Sequence, residues 1–266
     1  MKNLILLIIF LLMVKLATAQ TRVTDLSQAP LKGKVRQVTT YTFRGANHTS
    51  PDTTASSEKT IETFDEKGWE IEEKMYDKSD ALKQRFSFEY IGDSIAVRNQ
   101  FNASGKLFVK YIYKYDGQGK ETEFDMNSDA QPQFRLAKIN YRCICKYDKL
   151  GDRIGEEQYI DNDKLSMRTI SKYNDQHQRI QSDEESFFGT SIKKSKIIFT
   201  YDNAGNPIKS ENYDADGQLT GGNNASYDRF DKYGNWLIRT SSYSGHSAYQ
   251  GDFTFMDITK RLIEYY

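Results

Sequence analysis

The chain has 266 residues, with 37 basic and 37 acidic side chains and hence no formal net charge. That balance, without any block of like charge, argues against a nucleic-acid partner, which would need a basic face. Only four prolines occur, which excludes a Pro-rich stalk.

Lys2, the apolar run Leu4–Val14 and the small-residue site Ala17-Thr18-Ala19 read as a secretory signal peptide over residues 1–19. The run is shorter than the roughly 20 residues of a membrane span, so the mature chain is expected to hold no transmembrane segment. Residues 20–30 form an N-terminal segment, and 31–266 are expected to be a single domain. A first strand is predicted near Val35–Phe43. It is followed by a flexible polar loop over 44–60, rich in Ser and Thr.

From there a short phrase recurs: an aromatic, an Asp or Asn, two free positions and often a Gly. It stands at Phe64-Asp65-Glu66-Lys67-Gly68, Tyr76-Asp77, Phe101-Asn102-Ala103-Ser104-Gly105 and Tyr115-Asp116-Gly117-Gln118-Gly119. It returns at Tyr147-Asp148-Lys149-Leu150-Gly151, Tyr173-Asn174, Tyr201-Asp202-Asn203-Ala204-Gly205, Tyr213-Asp214-Ala215-Asp216-Gly217 and Phe230-Asp231-Lys232-Tyr233-Gly234. Asp opens a turn because its carboxylate accepts the backbone N–H two residues on. The next two residues suit a type I turn, and Gly supplies the left-handed conformation of a three-residue hairpin loop with a bulge. Between the turns, Phe86, Phe88 and Tyr90 share parity, as do Val109, Tyr111, Tyr113 and Tyr115, and Ile197, Phe199 and Tyr201. Period two over aromatic and β-branched runs is the strand signature. The ring before each Asp is expected to point inward on every strand. Gly221–Ala225 is expected to widen a turn.

The prediction is an all-β fold, an antiparallel meander of repeated β-hairpins forming a curled, elongated sheet or partial barrel. Tyr201-Asp202-Asn203-Ala204-Gly205-Asn206 and Tyr213-Asp214-Ala215-Asp216-Gly217-Gln218-Leu219 resemble the YD repeats of the Rhs family. The whole mature chain resembles small exported YD-repeat proteins of Bacteroidetes. Leu31–Val38 matches as the opening strand, and Tyr233–Arg239 with Arg261–Tyr266 as the close. The resemblance implies a curled antiparallel sheet; it does not imply a toxin, since the chain has neither the length of the large Rhs proteins nor an appended domain.

Chemistry is sparse. Cys143 and Cys145 lie two apart on a predicted strand, near the upper limit of Cα separation for a disulfide. They are two small buried apolar residues on one reading, and a strained disulfide or a redox pair on the other. His48, His177 and His246 lack metal-ligand spacing. Asp161 and Asp163, or Asp214 and Asp216, present oxygens without an EF-hand pattern and read as turn formers. Adjacent pairs such as Glu72-Glu73 would point to opposite faces of a strand, which gives no paired-carboxylate site. The sequons at Asn47, Asn102 and Asn224 carry little weight. Thr53 and Ser94 follow Asp in short O-glycosylation signals. No cofactor is expected.

An outer-membrane barrel would also alternate and end on an aromatic, but Lys and Glu fall on the faces that lipid would need. The expected function is therefore an exported, non-catalytic binding or scaffolding module of the cell envelope, in the periplasm or at the cell surface. Its partner would be an envelope protein, peptide or glycan. The competing reading is a cell-envelope hydrolase with an unrecognised site.

Overall fold

The computed structural model describes residues 31–46, 51–54, 56–92, 94–117, 119–128, 140–161, 163–247 and 251–266. The signal-peptide and N-terminal expectations (1–19, 20–30) lie outside these residues. The turn phrase folds through its own backbone. Asp65 Oδ1 accepts the N–H groups of Lys67 and Trp69, both at 2.9 Å. Gly68 N donates to Asp65 O at 2.9 Å, and Gly68 takes φ +83°. Asp202 repeats the arrangement with Ala204, Asn206 and Gly205. Where the phrase lacks Gly, Asp80 and His177 occupy the left-handed slot at φ +63° and +60°.

These turns join sixteen strands among the described residues. They are β1 (Val35–Ala46), β2 (Glu58–Phe64), β3 (Glu70–Tyr76), β4 (Leu82–Ile91), β5 (Ile95–Asn102), β6 (Leu107–Tyr115), β7 (Glu121–Ser128) and β8 (Asn140–Tyr147). Then follow β9 (Arg153–Ile160), β10 (Lys164–Tyr173), β11 (Arg179–Phe188), β12 (Ser191–Tyr201), β13 (Pro207–Tyr213), β14 (Leu219–Phe230), β15 (Trp236–Ser247) and β16 (Gly251–Tyr265). Each strand pairs antiparallel with its chain neighbours, and β1 pairs with β16. The sheet is thus a closed barrel, not the curled, elongated sheet or partial barrel expected. Closure satisfies the last two edges, which would otherwise present unpaired backbone groups.

The β2–β3 turn and every second turn after it lie at one rim, the lower, together with residues 31–34 and Tyr266. The other turns form the upper rim. The polar loop is shorter than predicted, because β1 runs to Ala46 and β2 begins at Glu58. Gly221–Ala225 is no turn. It lies inside β14, where a Cβ on Gly222 would stand 2.3 Å from Ser210 O and one on Gly221 2.6 Å from Ser244 O. Glycine there lets strands approach closely.

Burial and register assign the two faces of the wall. Phe86, Gln100 and Val109 are buried and lie in one cross-strand row with Val38, Glu62 and Glu73, facing inward. A parallel inward row carries Tyr113, Phe124 and Cys143. The rings of Tyr113, Phe124 and Tyr141 follow one another at 5.6 and 5.5 Å. Most inward side chains remain half-exposed. A barrel of sixteen strands is too wide for side chains to fill.

The expectation that every pre-Asp ring points inward holds at the lower rim only. Tyr115, Tyr147, Tyr173 and Tyr201 face in, whereas Tyr76, Phe101, Tyr159 and Tyr213 at the upper rim face out. The cause is a one-residue register shift after the turn, as between Thr63 and Phe64, Lys146 and Tyr147, and Thr200 and Tyr201. Such a bulge inserts one extra residue on one strand. Phe64 and Tyr76, Tyr147 and Tyr159, and Tyr201 and Tyr213 are spaced by twelve, so the extra residue swaps the face. Each outward ring meets a cation directly opposite on the preceding strand: Lys59, Arg85, Arg142 and Lys196.

Candidate functional site at the lower rim

The lower rim is tied together by tyrosine hydroxyls. Tyr90 donates to Glu70 O, Tyr173 to Arg153 O, Tyr201 to Arg179 O and Tyr227 to Pro207 O, at 2.7–3.1 Å. In all four, the acceptor is the first residue of the preceding strand. The inward ring is therefore a clamp as well as a packing group, which explains Tyr over Phe at these positions. Tyr266 adds a bond to Phe64 O at 2.6 Å across the seam. At the same seam Asn235 accepts from Lys32 N and donates to Lys32 O, at 2.8 and 2.9 Å.

Three groups of charged side chains stand on the inner wall. In the first, Glu73 pairs with Arg98 at 3.0 Å, and Arg98 lies 4.0 Å from the Phe86 ring centroid. Beside them Glu70 is 2% exposed, and its Oε1 has no hydrogen-bond partner. Burial, with Glu62 and Glu73 adding repulsion, pushes its carboxyl up to about 8. The second group surrounds the cysteines. Arg153 contacts Glu121 and Glu156 at 3.7 and 2.7 Å, and its Nη2 lies 3.9 Å from Cys143 Sγ.

Cys143 and Cys145 are both free and buried, so no disulfide joins them. Two residues apart on one strand face, they sit at the stretched limit of bridge geometry. The shared Cys145 contact and burial push the Cys143 thiol up.

The third group frames a cavity of about 380 Å³ in the lower mouth. Arg179 from β11 and Arg261 from β16 reach it, beside Lys32, His177, Tyr201 and Trp236. Neither Asp nor Glu lines it. Arg261 lies over Trp236, 3.5 Å from the ring centroid. Burial lowers its pKa to about 10, opposed by the charge of Glu62. The lower rim brings these groups together from distant parts of the chain, and no local motif marks them. The arrangement supplies positive charge, an aromatic floor and amides, the parts of a binding pocket.

The other predicted positions are dispersed. His177 is an exposed turn residue whose Nδ1 lies 3.0 Å from Asp152, and it borders the cavity. His48 lies outside the described residues. Thr53 and Ser94 are both exposed, at the upper and lower rims. Asp214 Oδ1 accepts from Asp216 N and Gln218 N, as a turn former does. Among the described residues no group of three His, Cys, Asp or Glu side chains could hold a metal ion.

The outward wall is different. Across β6 to β12 one register row reads Lys114, Glu123, Ile144, Glu157, Arg168, Glu185 and Lys194. Lys114 pairs with Glu123, Arg168 with Glu157 and Glu185 at 3.3 and 3.6 Å, and Lys194 with Glu185 at 2.9 Å.

A scan against protein-family models gives no match, and a search of curated proteins gives none either. Among solved structures, the chain is similar to a porin-like protein from Bacteroides uniformis. The TM-score is 0.54 at 10% identity, over 86% of this chain and 96% of that one. The likeness is one of fold. A TcdB2–TccC3 structure matches at TM-score 0.30 and 12% identity, over 78% of this chain and 15% of that one. A LolA superfamily protein from Nitrosomonas europaea also scores 0.30, at 10% identity over 87% and 86%. Neither of these two bears on the architecture.

Proposed function

We propose that this chain is an exported, non-catalytic binding or scaffolding module of the cell envelope, of the kind its YD-like repeats suggest. One observation carries the reading: the mid-height outer wall is a row of paired charges, while the formed pocket opens inward at a rim. A lipid-facing wall needs an apolar outward band, and Glu157, Arg168 and Glu185 occupy that height. The partner is an envelope protein, peptide or glycan that reaches the lower mouth. To test it, the mature protein is incubated with envelope glycans and peptides. Saturable binding with unchanged polymer length is expected.

The hydrolase reading keeps one specific support, the Glu70 carboxyl, which burial pushes up to about 8, beside the ion-paired Glu73. A carboxylic acid held neutral next to an ionised one is the pattern of general acid catalysis. Its near-complete burial counts against contact with a substrate. Shortening of a polymer by the parent, lost in Glu70→Gln, would favour the enzyme.

A further inference from the structure

The lower-rim cavity is lined by two guanidinium groups and, among the described residues, by no carboxylate. Neither Arg179 nor Arg261 has a carboxylate within salt-bridge distance among the described residues. Arg179 instead lies 4.8 Å from the Phe199 ring centroid. Arg261 lies over Trp236, 3.5 Å from the ring centroid, and its Nε is buried without a partner. Glu62 is the carboxylate that acts on it electrostatically. Burial raises the pKa of Glu62, and the charge of Arg261 opposes that shift. A buried, incompletely paired cation is costly, and an incoming anion relieves that cost.

The cavity is also far larger than an inorganic anion needs. About 380 Å³ falls in the range of small-ligand pockets. Tyr201 and Trp236 offer ring surface, and Gln178 and Asn206 offer amides that match hydroxyl groups. Tyr201 is held in place because its hydroxyl is already committed to Arg179 O at 2.8 Å. Guanidinium groups recognise carboxylates by two parallel N–H···O bonds.

We propose that this cavity binds one carboxylate-bearing sugar residue of an acidic glycan. The carboxylate lies against Arg261 and Arg179, and the sugar ring against Tyr201 and the edge of Trp236. The proposal rests on the binding-module reading and names the ligand class.

The test uses the full mature chain, titrated calorimetrically with glucuronate, glucose and inorganic phosphate. Glucuronate is expected to bind, with glucose and phosphate each at least tenfold weaker. Arg179→Gln, at an exposed position, is expected to weaken glucuronate at least tenfold. Arg261→Gln should act the same way if its unfolding profile shows a folded barrel, and Lys194→Gln on the outer wall should change nothing. Equal binding of glucose, phosphate binding as tight as glucuronate, indifference to Arg179→Gln, or no binding of any probe would each overturn the proposal. Saturable binding of some other envelope component in that last case would leave the module standing without this pocket assignment.

Discussion

Tyr201 and Tyr227 show what a single hydroxyl does in this wall. Each ring packs inward, and each O–H ends on a backbone carbonyl of the strand before it. Replacing either by Phe keeps the ring and removes the bond. Each change should cost about 0.5–1.5 kcal/mol. Tyr201 pairs directly with Pro207, the acceptor of Tyr227, so the double variant should depart from their sum by about 0.5 kcal/mol or more in denaturant unfolding. Glu70 acts in the opposite sense. Its folded pKa is raised from 4.5 to about 8, so the native state holds a proton that the unfolded chain has released. The resulting contribution is present in full below pH 4.5 and is lost as pH rises to 8. Within that window stability should fall by about 1.4 kcal/mol per pH unit from this group alone. Glu70→Gln, which mimics the protonated form, should flatten that slope in unfolding curves taken across the window. Unchanged slopes would mean that Glu70 is ionised in the folded protein.

At the scale of strands, the charge row on the outer wall is where pairing is most exposed to manipulation. An isolated surface pair is worth about 0–1 kcal/mol, and cross-strand like charges reverse the sign. Arg168 lies directly opposite both Glu157 and Glu185. Arg168→Glu therefore puts three carboxylates in a line and should destabilise by about 1–2 kcal/mol at low salt. Raising the ionic strength should recover part of the loss, whereas Arg168→Met should lose less and respond little. The strands and turns were legible in the sequence because the Asp–Gly interval and the parity of Phe86, Phe88 and Tyr90 are local signals. The outward swing of Tyr76 and Tyr213 was hidden, because the bulge that causes it is a feature of pairing and leaves no mark in spacing. Gly221 and Gly222 misled for a related reason. A glycine that admits a neighbouring backbone carries the same letter as one that turns the chain.

For the molecule as a whole, closure decides stability. The β1–β16 seam pairs Gln37 with Glu264 and Ala46 with Phe255, and Tyr266 N adds a bond to Lys34 O. Deleting residues 251–266 would leave β1 and β15 as long unpaired edges. Such edges recruit other chains, so the truncated protein should elute as large assemblies while the parent elutes as a discrete species. The mouth cavity was not legible because its lining is gathered from separate turns and strands. Arg179 and Arg261 lie far apart in the chain and line one cavity along the β11–β16 arc of the wall, to which the seam adds Lys32. The end segments Leu31–Val38 and Arg261–Tyr266 were the visible trace, matched as an opening and a close without showing that they meet.

The repeat carries a further consequence for size. Each phrase adds a strand of nearly constant pitch, and neighbouring strands are spaced about 4.8 Å apart. Duplicating one down-and-up unit would therefore lengthen the circumference by roughly 10 Å while leaving the seam chemistry at Asn235 and Tyr266 untouched. A lineage of such chains could tune the bore of its ring by copying an interval, with no new joint to invent.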